Sequence, residues 1–287
     1  MTMSHRIKVP DKGIYMISKE HSTLLKAVET LSNRGLNCNV LIRGNTGCGK
    51  SELVTQFAAT HRRPLAVLEI GQLSESKQIF GYTDLRDGET VYIPGLFTQA
   101  IQTPNCVVHL QEINRPETDK ALNAIFSVLD DTFRSVYVDE MQTYVKVAPG
   151  VTFFATLNEG YEFIGTMPLD VALENRFEFK LEVGYLPSEI ERNILLIKGL
   201  LSPDDTTQLL SMVNTLRQNT ETPIHISTRD TINMARLVGA GVSLFLSLKT
   251  VVGSSVDKLE SLLLSNQLEG VSTPEIDDLS NNTYESM

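Results

Sequence analysis

The run Gly44, Asn45, Thr46, Gly47, Cys48, Gly49, Lys50, Ser51 follows the spacing G-x-x-x-x-G-K-S/T, a pattern whose chemistry is the holding of phosphate. Its glycines let successive backbone N–H groups turn inward on an anion, and a helix opening at Ser51 adds the positive potential of its N-terminus. Lys50 can neutralise charge on the β- and γ-phosphates, the Ser51 hydroxyl can ligate Mg2+, and Glu52 closes the stretch expected to line a nucleotide. Cys48 lies where a helix terminus could lower a thiol pKa, but its expected role is that of a small spacer. A second group of interest ends the apolar run Val107, Val108, His109, Leu110 with Gln111 and Glu112. Phosphoryl-transfer sites place an Asp there to hold Mg2+ through water, followed by a Glu that polarises the attacking water. Gln111 accepts a hydrogen bond from metal-bound water yet brings no negative charge, so weak Mg2+ affinity is expected. Glu112 keeps the base. His109 alternates with apolar neighbours and reads as a packed core histidine.

These groups need a scaffold, and the chain supplies a pattern for one. Short apolar runs at residues 39–43, 64–70, 106–111, 151–157 and 177–183 alternate with helical stretches. Alternation of that kind predicts a largely parallel sheet covered by helices on both faces. Two more polar pairs, 82–85 with 90–93 and 135–138 with 143–147, read as inserted hairpins. The first closes through Asp87-Gly88, a strong turn signal. After Pro187 only helical patterns remain, at 188–200, 203–218 and 228–248. The predicted organisation is therefore an α/β core over 1–185, a smaller helical domain over 186–252, and a C-terminal helix with an acidic, disordered tail over 253–287.

Composition narrows the function classes. With 41% apolar and 21% charged residues, the 287-residue chain has enough apolar content for a full core. A net charge of -10 disfavours a sequence-independent grip on nucleic acid, which needs clustered Lys and Arg. No apolar run suits a bilayer span or a signal peptide, so a cytoplasmic location is expected. Three cysteines, Cys38, Cys48 and Cys106, form no Cys-x-x-Cys pair and suit reduced thiols. No spaced His and Cys set suggests zinc.

Taken with the segments Phe80-Gly81-Tyr82, Asp87-Gly88-Glu89-Thr90-Val91, Pro94-Gly95-Leu96, Glu112-Ile113-Asn114-Arg115 and Ala155-Thr156-Leu157-Asn158, the sequence resembles the MoxR-type AAA+ ATPases. The likeness runs from about residue 40 to 238 and is strongest to the branch containing CbbQ, NorQ/NirQ and the gas-vesicle protein GvpN. It implies an AAA+ αβα sandwich with a five-stranded, mostly parallel sheet, two inserted hairpins and a C-terminal helical lid. The cofactors implied are ATP and Mg2+. By the same resemblance Asn158 matches sensor 1, Arg176 an arginine finger acting on a neighbouring subunit, and Arg229 sensor 2 at the start of a lid helix. The family forms rings, commonly hexamers, and works on a protein client with a partner bearing a von Willebrand factor A domain. The expected function is ATP-driven remodelling or activation of a client. The alternative is a nucleotide-gated scaffold or switch, slow in hydrolysis because of Gln111. A nucleic-acid translocase is disfavoured by acidity and by the lack of a basic, aromatic strip.

Overall fold

A computed structural model describes residues 7–13, 15–72, 79–115, 125–158, 169–198, 201–218 and 224–253. The acidic tail expected to be disordered lies outside these residues. Five strands, β1 (Val40–Gly44), β2 (Leu65–Glu69), β5 (Val107–Gln111), β8 (Thr152–Asn158) and β9 (Phe179–Glu182), form one sheet in the order β2-β5-β8-β1-β9. All its pairings are parallel. The runs read as strands from the sequence are these five, with β2, β5 and β9 trimmed by one or two residues and β1 and β8 shifted one residue later, to end at Gly44 and Asn158. The near-continuous hydrophobicity of β1, β5 and β8 follows from burial on both faces, whereas the edge strands β2 and β9 carry exposed positions.

Alternation along the strands separates two cores. Leu41, Val108, Leu110, Phe153 and Ala155 pack on one side with Phe97 and Ile101 of helix α3 (Leu96–Ile101). On the other side Val40, Ile42, Leu65, Val107 and Phe154 meet Leu53, Val54 and Phe57 of helix α2 (Lys50–Thr60). Helix α1 (Lys19–Asn33) joins the second core through Leu25 and Val28, and Ser18 caps its start by accepting from the His21 amide at 3.1 Å. At the far end of the sheet Arg63, 5% exposed, pairs with Glu29 at 2.9 Å and donates to Thr152 Oγ1 at 2.8 Å.

Both hairpins stand outside the sheet. Strands β3 (Gly81–Arg86) and β4 (Glu89–Pro94) close through Asp87 and Gly88, each with positive φ, as a two-residue hairpin turn requires. Strands β6 (Ser135–Val138) and β7 (Thr143–Lys146) form the other pair, where Tyr137 and Tyr144 meet edge to face at 5.1 Å.

The chain divides into two compact units. One runs to Ile194 and regains Ser227–Arg229; it holds the sheet, the short helix α4 (Val171–Glu174) and the first part of helix α5 (Ser188–Lys198). The other, Leu195–Ile226 and the chain from Asp230, is built on α6 (Pro203–Arg217), most of α7 (Thr228–Gly239) and α8 (Leu244–Val252). Leu195, Leu209, Val213, Ile226, Met234 and Leu248 form its core. The single helix expected over 228–248 is in fact two. Gly241 takes φ +90, the Val242 amide reaches back to Leu237 O at 3.0 Å, and Ser243 Oγ accepts from the Leu246 amide at 3.3 Å. A left-handed glycine followed by a Ser N-cap ends one helix and starts the next.

Candidate functional site

The site gathers at the C-terminal edge of the sheet, where open α/β folds place their ligands. Strand β1 ends at Gly44, in register with Asn158 at the end of β8. From there the loop turns into α2, whose N-cap is Gly49 with φ +94 and no side-chain cap. The first-turn amides of α2 therefore keep their capacity for an anion. A side chain at Gly44 would run into Val183 O, and one at Gly47 into the Ser227 side chain. Asn45 and Thr46 complete the turn, and Ser51 and Glu52 follow on the first turn of α2.

Lys50 is 7% exposed. Its Nζ donates to Gly44 O at 2.8 Å, Asn45 O at 2.7 Å and Asn158 Oδ1 at 2.8 Å. Burial pulls its pKa below the usual lysine range; the nearby Arg229 charge acts in the same direction, against Cys48 and Glu112. An ammonium so placed meets three oxygen acceptors in a desolvated pocket, the arrangement that phosphate oxygens would exploit. Cys48 is buried too, and burial pushes its thiol up despite Lys50. It remains a thiol, as a spacer would.

Glu112 leaves the strand with φ +54, so its side chain departs from the alternation of β5. Its Oε1 accepts from Asn158 Nδ2 at 3.2 Å, and its Oε2 lies 3.4 Å from Arg115 Nη1. Asn114 Nδ2 in turn donates to Asn158 O at 2.9 Å. The carboxamide of Asn158 thus connects the amine of Lys50 with the carboxylate of Glu112. Gln111, half-buried, opens onto a cavity of about 460 Å3 with Glu69, Gly71, Glu112 and Arg115. His109 sits beneath, 1% exposed, bonded to Thr156 Oγ1 at 3.1 Å. Burial pushes it down to about 4, so the ring is neutral near pH 7.

The two arginines are placed differently. Arg229, exposed at the second position of α7, stands near Gly47 and close enough to Lys50 to influence it. Arg176 follows α4, away from the Lys50 cluster. Its Nη1 lies 3.4 Å from Asp130 Oδ2 and its guanidinium 5.3 Å from the Phe126 ring. Asp130 is held below the usual carboxylate range by the Thr132 and Phe133 amides, with Arg176 adding to them.

Three contributors escape sequence reading. Tyr15 donates to Gly49 O at 3.1 Å, strapping the preceding segment onto the loop, and nothing local in its sequence marks it. Asn114 and Glu69 become visible only once the strand order is known. The residues present fit a triphosphate chain: a glycine cradle, a buried amine and an uncapped helix start. They also fit a divalent metal arriving on that chain, with the Ser51 hydroxyl and the Gln111 amide as oxygen donors beside Glu112.

The family model described as an AAA domain of the dynein-related subfamily matches residues 39–177. BssE of Thauera aromatica, described as a candidate chaperone, is 45% identical over 255 residues, covering 89% of this chain and 88% of the relative. An uncharacterised protein of Staphylococcus aureus is 27% identical over 186 residues, 62% of this chain and 68% of its own. Among solved structures, a RuvB mutant from Thermotoga maritima gives a TM-score of 0.52 at 17% identity, over 82% of this chain and 70% of that one, a likeness of fold.

Proposed function

The chain belongs to the AAA+ family of ATPases, and from that premise we propose that it is a MoxR-type, ring-forming ATPase that couples ATP hydrolysis to remodelling or activation of a protein client. The observation that carries this reading is the chain of hydrogen bonds from Lys50 through Asn158 to Glu112. ATP is the substrate and source of the phosphoryl group, and Mg2+ bound with it would screen the phosphate charge. Lys50 and the loop amides bind the phosphates, Ser51 and Gln111 would hold the metal, and Glu112 accepts the proton of the attacking water. Asn158 orients that water, while Arg229 adds positive charge near the phosphates. Arg176 acts on the nucleotide of the neighbouring subunit in a ring, with a hexamer as the expected size.

The description of BssE supports a chaperone-like role. A cytoplasmic location, a protein client and a partner with a von Willebrand factor A domain complete the proposal. Among the described residues no helix is long and apolar enough to cross a membrane. Gln111 favours a second reading, a nucleotide-gated scaffold with slow turnover, because the metal loses a charged ligand there. Steady-state hydrolysis of Mg-ATP by the full chain separates the two. Turnover abolished by Lys50→Ala supports the ATPase. Tight nucleotide binding with no turnover above the Lys50→Ala background favours the scaffold, and absence of nucleotide binding sinks both.

A further inference from the structure

Asn39, the residue before β1, is a fully buried polar side chain at the end of that strand opposite to the glycine loop. Its Nδ2 donates to Arg176 O at 2.9 Å and to Leu129 O at 3.0 Å. Both targets are backbone carbonyls, which only accept, so the amide nitrogen and not its oxygen must face them. The two carbonyls flank one ion pair: Leu129 precedes Asp130, whose Oδ2 lies 3.4 Å from Arg176 Nη1. Further ties run beside these. The Asn39 backbone N donates to Glu178 Oε2 at 2.6 Å, Nδ2 lies 3.4 Å from Glu178 Oε1, and the Phe179 amide donates to Asn39 O at 3.2 Å. One residue thus fastens the chain at Arg176, Glu178 and Phe179 to the stretch that carries Asp130.

We infer that Asn39 is a positioning residue for Arg176, fixing its backbone so that the guanidinium is presented to the nucleotide of a neighbouring subunit. The inference rests on the reading of Arg176 as a finger that acts in trans. The contacts of the Arg176 side chain itself are loose: the ion pair spans 3.4 Å, the Phe126 ring lies 5.3 Å away, and the buried Nε has no acceptor among the described residues. Contacts of that kind exchange readily for a phosphate, so the placing of the finger must come from its backbone. Asn39 Oδ1 is buried too and has no partner among the described residues. Such an amide is costly to bury, and what offsets the cost is the pair of bonds it donates. Distance separates this role from nucleotide binding. Five residues of extended chain, about 16 Å, lie between Asn39 and Gly44, so a change at Asn39 leaves the lining of the loop untouched.

The test uses the full chain and compares Asn39→Ala with the milder Asn39→Ser, whose hydroxyl can serve one carbonyl at most. Asn39→Ala should lose about a hundredfold in turnover, the cost of misplacing a catalytic group by about 1 Å, while its Kd for a non-hydrolysable ATP analogue stays within about twofold of the parent. Asn39→Ser should fall between the two. Mixing separates positioning from general damage. Asn39→Ala with Lys50→Ala should regain hydrolysis, because the intact loop of the first meets the intact Arg176 of the second. With Arg176→Ala it should regain none, because neither protein presents a working finger. Recovery with Arg176→Ala, or with neither protein, overturns the inference, as does parent-level turnover or a loss of analogue binding that matches the loss of turnover. Should Asn39→Ala fail to fold, Asn39→Ser decides by the same pairings, and failure of both to fold makes Asn39 a structural residue only. Arg176→Ala with Lys50→Ala is the control. No recovery there, under demonstrated subunit exchange, removes the finger reading and this inference with it. Recovery in the control alone leaves Arg176 in its role and excludes Asn39.

Discussion

Asn158 Oδ1 accepts a hydrogen bond from Lys50 Nζ at 2.8 Å, joining the end of one strand to the amine that the loop buries. Because the same amide donates to Glu112, occupancy of the loop and orientation of the base are linked through one side chain. Asn158→Ala should lower ATP turnover by on the order of a hundredfold while changing nucleotide affinity far less. Asn158→Asp, closer in shape, should do worse. Its carboxylate would hold Lys50 more tightly and repel Glu112. Turnover and nucleotide Kd measured together decide this, and equal losses in both would reduce Asn158 to a strut for the loop.

Glu112→Gln should bind nucleotide nearly as the parent does and lose between a hundredfold and ten-thousandfold in turnover, about what removal of a general base costs. The Asn158 contact survives in an amide, so local structure should be preserved. A matching loss of binding would assign Glu112 to architecture.

The distance of Arg176 from the Lys50 cluster leads to a mixing experiment. Arg176→Ala should lose on the order of a thousandfold in turnover, as removal of an arginine finger does. Combined with Lys50→Ala, equally inactive by itself, it should regain hydrolysis, since an intact loop can meet an intact Arg176 across a subunit boundary. The rate per chain should also fall on dilution. Demonstrated subunit exchange without recovery, together with a flat rate on dilution, would leave Arg176 as the partner of Asp130 and nothing more.

His109 gives a pH dependence of stability. Its pKa lies near 4 in the fold and near 6.5 in the unfolded chain, so between these values the unfolded state binds more protons. Stability attributable to His109 is thus full above pH 6.5 and falls as pH drops towards 4, by on the order of 3 kcal/mol in all. His109→Gln, which keeps a polar group for Thr156, should unfold in urea with a flatter pH profile over that window. Parallel profiles for the two proteins would show that the ring does not titrate as burial dictates.

Strands and the glycine loop were legible because their signals are local. Apolar runs announced β1, β2, β5, β8 and β9, and Asp87-Gly88 announced the first hairpin. The break at Gly241 was missed because the apolar spacing of residues 228–248 continues across it, while one left-handed residue and a Ser cap decide the backbone. Relations through space were illegible for another reason. That Lys50 touches Asn158 and that Glu69 lies beside Gln111 depend on strand order, which alternation of strands and helices does not determine, and that Tyr15 reaches Gly49 depends on where the segment before α1 packs. Residue types at the site could be read from sequence; their pairings required the sheet.

The strand order has a kinetic side. Val40 of β1 pairs with Phe154 and Phe179, so the strand carrying the glycine loop is made early and finds its neighbours only after long stretches of chain have followed. Pairings this distant in sequence form slowly and late, and a nascent chain ending before β8 would own the loop without Asn158 to engage Lys50. Nucleotide should therefore be unable to template early folding and should act by retarding unfolding, since its binding surface matures with the last steps of sheet assembly.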